Sequence, residues 1–519
     1  MSIPPSEGGP ALPLSLHSRN PFRWLTVFGP GAVIASLTIG SGELIFSSRA
    51  GALFGYRLLW FFLLVLFAKW VLVYATARQM VLTGGHPFQR WMDLPGPRGW
   101  LPLVFFLLAL AAFPVWVGFH AGTLGTLLSW AAGTESSLRG GAHFVWGMGI
   151  LGLVLVFVLA GGYKTLERVQ LLIVVLMLLC VLIAVMLVRP DWFEFFHGLF
   201  IPQPVHYPAW ALANKEFTQR PVWLETITYV GVLGGSGYDY LAYVSYLREK
   251  HWGRAGETVA SLAELNRGAA DQSDPTPLWL RAVLADSILS FAAILIFTAV
   301  FTICGAVILG PQHLVPGGAN LLTLQAGFVT PIYPWLKYVY FVGAFLAIFG
   351  TLYGTIEVAP VVLREFLLAN DGDETKARSA FARKISVLWV SCGGWIVLLG
   401  SFIYTWLGQG QTPPGLISIL TPANLFTGVL SCGFICLLAE WSDRSDLPPA
   451  WRMNAPLRFA NVLAGIIFLA LGLKAYWDQS GWRSWLILLG TVAVGWIASG
   501  LRAGRDGKRA LSAPTRGQG

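Results

Sequence analysis

Charge is scarce in this chain. Asp, Glu, Lys and Arg make up 12% of its 519 residues, against about 25% in soluble proteins, and that excludes an ordinary water-soluble domain of this length. Cysteine is also rare. The five present, Cys180, Cys304, Cys392, Cys432 and Cys436, all lie within apolar stretches, so no disulfide framework is indicated. Cys432 and Cys436 share a helix face, but without His or carboxylate neighbours they read as packing rather than metal ligation. There is no Gly-x-x-x-x-Gly-Lys phosphate loop, nucleophile elbow or His/Cys cluster, so the chain does not read as an enzyme and no cofactor is expected. Nor is there a dense basic run. The net charge of +9 is explained by membrane topology and anionic-lipid contacts, and nucleic acid is not an expected partner.

Apolar residues are what the chain has in plenty: 55% of the total, with a mean hydropathy of +0.64. A bilayer core about 30 Å thick needs about 20 mostly apolar residues per helix, and such stretches recur from end to end. They lack the alternation of a membrane barrel, so helices are expected. Twelve spans are predicted, near 24–54, 56–78, 100–130, 143–161, 167–188, 222–247, 278–309, 335–364, 385–406, 415–438, 457–476 and 484–501. The polar start, rich in Pro, Gly and Ser, lacks the plan of a cleaved signal peptide and reads as a flexible tail. Of the 35 Lys and Arg residues, 25 fall on the side of the N-terminus and 9 on the other, with Lys69 inside span 2. That bias places both termini in the cytoplasm, and a bacterial inner membrane is the expected setting.

The expected organisation is a cytoplasmic tail (1–22), a first five-helix repeat plus helix 6 (23–247), and a cytoplasmic loop (248–277). The rest of a second repeat (278–438), helices 11 and 12 (439–501) and a basic tail (502–519) follow. A short interfacial helix is expected around 192–200. The repeat rests on self-similarity. Span 1 contains PGAVIASLTIGSGELIFSS and span 6 contains YVGVLGGSGYDYLAYVS. Each is an apolar helix interrupted by Gly-Ser-Gly, with a carboxylate, Glu43 or Asp239, within two residues. Paired interrupted helices in corresponding halves are the pattern of secondary transporters that bind near the membrane midplane. The plainer reading is that the glycines serve packing or kinks and that the carboxylates cap half-helices, Ser236 and Asp239 having capping-box spacing.

The candidate substrate-binding residues are therefore Gly40, Ser41, Gly42, Glu43, Gly235, Ser236, Gly237 and Asp239. A carboxylate at a helix centre costs about 2.5–3.5 kcal/mol on insertion scales and a half-helix N-terminus returns about 0.3–2, so Glu43 and Asp239 need a cation, a proton or a basic partner. With the carbonyls near Ile39, Gly40, Leu233 and Gly234 they suit a hard cation such as magnesium, calcium, sodium or partly hydrated manganese. Alternatively, the freed N–H groups hold a small organic or anionic solute while the two carboxylates couple transport to protons or sodium. Lys69 is expected to pair with Glu357 or Asp286, as a structural ion pair or as a coupling group. His120 reads as a proton relay or as a satisfied buried histidine. Asn424, at a break Thr421-Pro422-Ala423-Asn424 in span 10, either lines the cavity or bonds a neighbouring helix.

Gly29-Pro30-Gly31 through Gly42, followed by SRAGALFGYRLLW (48–60), resembles the first-helix signature of the natural resistance-associated macrophage protein (Nramp) family. FVGAFLAIFGTLYGTIEVAPVVLREFL (341–367) and LISILTPANLFTGVLSCGFICLL (416–438) are similar to that family in order and spacing. The resemblance implies the leucine-transporter fold, a five-plus-five inverted repeat with helices 1 and 6 broken, and secondary transport of divalent metal. The chain departs from the family's motifs, however. Where the family has Asp-Pro-Gly-Asn there stand Gly40, Ser41, Gly42 and Glu43. Its Met-Pro-His motif falls on Gly234-Gly235-Ser236 or one residue later. The usual carboxylate, thioether and imidazole are missing, and with them the soft-ligand argument for a transition metal.

Overall fold

A computed structural model describes residues 12–160, 189–213, 220–271, 273–317, 322–328, 333–372, 379–408 and 415–512, with a few isolated positions between. The expected fifth span, 167–188, and Cys180 lie outside the described residues, as do the outermost parts of both tails.

Helices dominate, and among the described residues there are no strands. The first span divides into α1 (Pro30–Thr38), a π-helical stretch (Ile39–Ser47) and α2 (Ser48–Phe54). Then come α3 (Leu59–Thr83), α4 (Trp100–Ala131) and α5 (Ala142–Ala160). The sixth span divides into α6 (Val222–Val232) and α7 (Gly237–Lys250). The remainder are α8 (Leu280–Cys304), α9 (Leu336–Asp371), α10 (Ala380–Leu407), α11 (Leu416–Asn424), α12 (Ser431–Asp446), α13 (Ala455–Ser480) and α14 (Trp482–Ser512).

Among the described residues, nine helices are long and apolar enough to cross a membrane, and the bent α1/α2 pair makes a tenth. The sixth expected span is divided between α6 and α7, each too short to cross a membrane alone. A helix follows Asp191 over Trp192–Phe200, where a short one was expected. The burial pattern is that of a lipid-embedded bundle. Large apolar residues such as Phe67, Val156, Ile396, Phe459 and Ile497 are exposed, whereas Glu43, Arg49, Lys69 and Asp286 are buried.

Helix 1 begins at Pro30, later than the expected 24, and its first N–H groups are capped from a distance. Asp286 of α8 accepts from Gly29 N and Gly31 N, both at 2.8 Å, and from Tyr243 Oη at 2.9 Å. A carboxylate at a helix N-terminus satisfies donors that have no intrahelical acceptor and complements the helix dipole.

The two interruptions differ in kind. In helix 1 the chain stays helical but widens to π geometry, with a bend of about 40° between the halves. The glycines there serve close approach: a methyl on Gly42 would lie 2.6 Å from the carbonyl oxygen of Val232, and one on Gly40 would strike Thr351. Gly42→Ala should therefore lower apparent stability by about 1–3 kcal/mol through overpacking. Thermal unfolding in detergent checks this, and an unchanged midpoint would refute the close-approach argument.

In helix 6 the chain leaves the helix. Gly234 and Gly235 have φ of +76° and +96°, a region that residues with a Cβ enter only at a cost of about 1–2 kcal/mol. The opening runs from Leu233 to Ser236, and Gly237 is the first residue of α7, so the break sits two residues ahead of the Gly-Ser-Gly triplet that pointed to it. Span 10 is not broken at 421–424. Pro422 lies inside α11, and a π-helical stretch, Leu425–Leu430, leads into α12.

Candidate functional site

The opening in helix 6 leaves backbone groups without helical partners, and the side chains around it answer them in turn. Lys69, midway along α3 and fully buried, donates from Nζ to Leu233 O and Gly235 O, both at 2.6 Å, with Gly231 O at 3.5 Å. Tyr240 Oη donates to Gly234 O at 2.5 Å. On the donor side, Gly234 N reaches Glu43 Oε1 at 3.3 Å. Ser236 N donates to Asp239 Oδ2 at 2.7 Å while Asp239 N donates back to Ser236 Oγ at 3.4 Å, the capping box anticipated from spacing. Buried backbone groups are seldom left unpaired, and here the pairing is done largely by three ionisable side chains.

The lysine thus corrects an expectation. It pairs with neither Glu357 nor Asp286. Asp286 caps α1, as described, and Glu357 bonds Arg383 Nη2 at 2.5 Å. The acidic neighbours of Lys69 are Asp239 and Glu43, the carboxylates that follow the two Gly-Ser-Gly triplets.

Those two carboxylates stand in different surroundings. Asp239 keeps partial exposure and opens onto a cavity of about 30 Å³ between α1, α4, α6, α7 and α9. Its polar lining includes the hydroxyls of Thr38, Ser236 and Thr355 and the imidazole of His120; Phe113, Trp116 and Val358 are among its apolar walls. Thr355 Oγ1 lies 3.3 Å from His120 Nδ1, and Trp116 Nε1 donates to Thr427 Oγ1 at 3.0 Å. Glu43, by contrast, is sealed and does not line this cavity. Its Oε2 has no hydrogen-bond partner, so the carboxyl carries one long bond, at 3.3 Å, and one bare oxygen.

The remaining candidates fall around these two. Gly235 and Ser236 line the cavity; Gly40 and Gly42 bring helix 1 against α9 and α6, with Ser41 in the same stretch. Gly237 packs on Ser431. Asn424 stands behind the cavity, its Nδ2 donating to Thr228 O at 3.0 Å, the neighbouring-helix bond of the plainer reading. Among the described residues, no group of three or more His, Cys, Asp or Glu is placed to hold a metal ion. Cys432 and Cys436 are buried and free.

Two buried ionic clusters, neither foreseen, close the bundle at either end of this site. At the end reached by α2 and α6, Arg49 Nε meets Glu225 Oε1 at 2.6 Å and Arg49 Nη1 donates to Pro316 O at 2.7 Å. Tyr229 Oη donates to the same Glu225 oxygen at 2.7 Å. Arg220 Nε lies 2.8 Å from Glu225 Oε2, an ionic contact without hydrogen-bond alignment. At the opposite end Glu365 bonds Ser245 and lies 3.3 Å from Arg248 Nη2, and Arg364 meets Glu249 Oε1 at 2.5 Å. A signal for the first cluster was present: Arg49 and Glu225 are opposite charges inside apolar spans, one after the first Gly-Ser-Gly triplet and the other before the second.

The fold has known counterparts. A mutant of the Eremococcus coleocola manganese transporter aligns with 96% of this chain and 98% of its own length, at 13% identity and a TM-score of 0.66. The same transporter bound to an aromatic bis-isothiourea substituted compound gives 14% identity and 0.64 over the same shares. MhsT in complex with L-phenylalanine aligns with 85% of this chain and 98% of its own, at 15% identity and 0.52. These likenesses show the leucine-transporter fold. A sequence search of curated proteins finds no match. A profile of the natural resistance-associated macrophage protein-like (Nramp) family matches residues 31–478, and the chain belongs to that family.

Proposed function

We propose that this chain is a secondary transporter that carries a hard divalent cation across the membrane by alternating access, with its cargo held beside Asp239. The observation that carries this reading is the cavity itself. About 30 Å³, at ~10–15 Å³ of such volume per water, holds an ion with a water or two and leaves no room for an amino acid. Its donors are one carboxylate, three hydroxyls and an imidazole, with no thioether. Such a set suits a cation that keeps part of its hydration shell, as magnesium does. Calcium and partly hydrated manganese belong to the same class, and a manganese transporter is among the structures of like fold.

Glu43 takes the second role in this proposal. A buried carboxyl with a bare oxygen is costly as an anion and tolerable as an acid, so it suits the coupling proton rather than the cargo. The Lys and Arg bias supports both termini in the cytoplasm, which would place the Arg49–Glu225 cluster on the outer side and the Glu365 cluster on the inner side. One observation favours the alternative of a small organic solute. Lys69 already brings a positive charge to the break and lowers its appetite for another.

A thermal-shift panel on the purified chain separates the two, because a ligand that prefers the native state raises its apparent stability. Magnesium, calcium or manganese should raise the midpoint, with cadmium, a soft ion, weakest. A panel in which amino acids or carboxylates stabilise and no divalent ion does would overturn the assignment.

A further inference from the structure

A break in a membrane helix exposes carbonyl oxygens, and in transporters built on such breaks those oxygens coordinate a mobile cation. Here they are already taken. Leu233 O and Gly235 O face Lys69 Nζ at equal distances of 2.6 Å, with Gly231 O at 3.5 Å. An ammonium offers three donors and no acceptor, and three carbonyl oxygens converge on this one. The C-terminal end of α6, carrying the partial negative charge of its dipole, adds to the attraction. The bare Oε2 of Glu43 belongs to the same neighbourhood.

We infer that Lys69 is a tethered replacement for a mobile alkali cation: its ammonium fills a carbonyl site at the helix 6 break that would otherwise bind sodium or potassium. Transport by the wild-type chain then needs no alkali co-ion. Removing the ammonium uncovers a monovalent-cation site formed by the oxygens of Gly231, Leu233 and Gly235. The inference rests on the transporter reading of the break but not on the identity of the cargo.

The test uses the full-length protein in detergent, in sodium, potassium or choline chloride at equal ionic strength and without divalent ions. Wild type should unfold at the same temperature in all three. Lys69→Met keeps the apolar stem and removes the charge; it should unfold earlier in choline and recover by roughly 1 °C or more in sodium or potassium at ~10 times the dissociation constant. Lys69→Arg, which retains a cation, should not respond to the choice of salt. A Lys69→Met protein equally unstable in every salt would reduce Lys69 to a structural cap and overturn the inference, as would sodium stabilisation of wild type. Should Lys69→Met not fold, wild-type uptake into proteoliposomes decides. A rate unchanged when choline replaces sodium supports the inference, and a several-fold fall defeats it. Failure of divalent ions to stabilise the protein would sink the cargo assignment and leave this salt comparison intact.

Discussion

Asp239→Asn should weaken cargo binding by one to two orders of magnitude, about 1.5–3 kcal/mol, and Glu43→Gln should abolish uptake while leaving binding in place. Both substitutions are conservative toward the backbone. An Asn at 239 still accepts from Ser236 N, and a Gln at 43 still accepts from Gly234 N, so both variants should express and fold as wild type does. What changes is charge. Asp239 is the carboxylate open to the cavity, and a hydrogen bond or ligand contact to an ionised group contributes about 1.5–3 kcal/mol. Its loss should weaken binding roughly 10- to 100-fold and remove the thermal shift given by the cargo ion. Glu43 does not line the cavity, so cargo-induced stabilisation should persist in Glu43→Gln while coupled flux is lost. Wild-type flux in both variants would end the site assignment. Loss of binding in Glu43→Gln would move Glu43 from coupling into the cargo shell.

The second large effect is expected at the cluster of Arg49 and Glu225, both buried. Truncating one partner of a buried ion pair strands the other and costs about 3–5 kcal/mol, whereas replacing both with apolar residues is often neutral. Glu225→Ala leaves Arg49 and Arg220 facing each other without their shared carboxylate, and it should yield little monodisperse protein after extraction. The double variant Arg49→Met with Glu225→Leu should recover a folded, thermally stable chain. Size-exclusion profiles and unfolding midpoints check both. A stable Glu225→Ala would show that water or another group neutralises the arginines. The recovered double variant is also informative about transport. The cluster joins α2, α6 and the segment at Pro316, and a change in uptake by a stable double variant would mark it as part of the closure at that end.

Much of the fold was readable because its causes are local. Apolar runs marked the helices, and Gly-Ser-Gly marked the opening in helix 6 to within two residues, since glycine alone enters positive φ without strain, as Gly234 and Gly235 do. The form of the helix 1 interruption was not readable. Gly40 and Gly42 could equally open a helix or let two helices touch, and only the facing Thr351 and Val232 decide for contact. Lys69 was seen as a buried charge needing a partner, but the search for that partner went to acidic side chains. Its actual partners are backbone carbonyls, which carry no signature in sequence and become available only where the helix happens to open. Asp286 was misjudged for a similar reason: the groups it satisfies are the amides of Gly29 and Gly31. Thr38, Thr355 and Trp116 escaped notice because threonine and tryptophan are unremarkable in membrane helices, and only the packing of α4 and α9 against the break turns them toward one cavity.

A charge fixed to the chain differs from a dissolved one in its effective concentration, which attachment sets and the medium cannot dilute. The carbonyls of Leu233 and Gly235 meet the Lys69 ammonium at 2.6 Å, and a tethered ammonium should hold that contact in brine as in a medium nearly free of salt. The opened turn of helix 6 should then keep its shape without help from the solution, so that on the proposed function an ion arriving at the cavity would meet a scaffold already assembled.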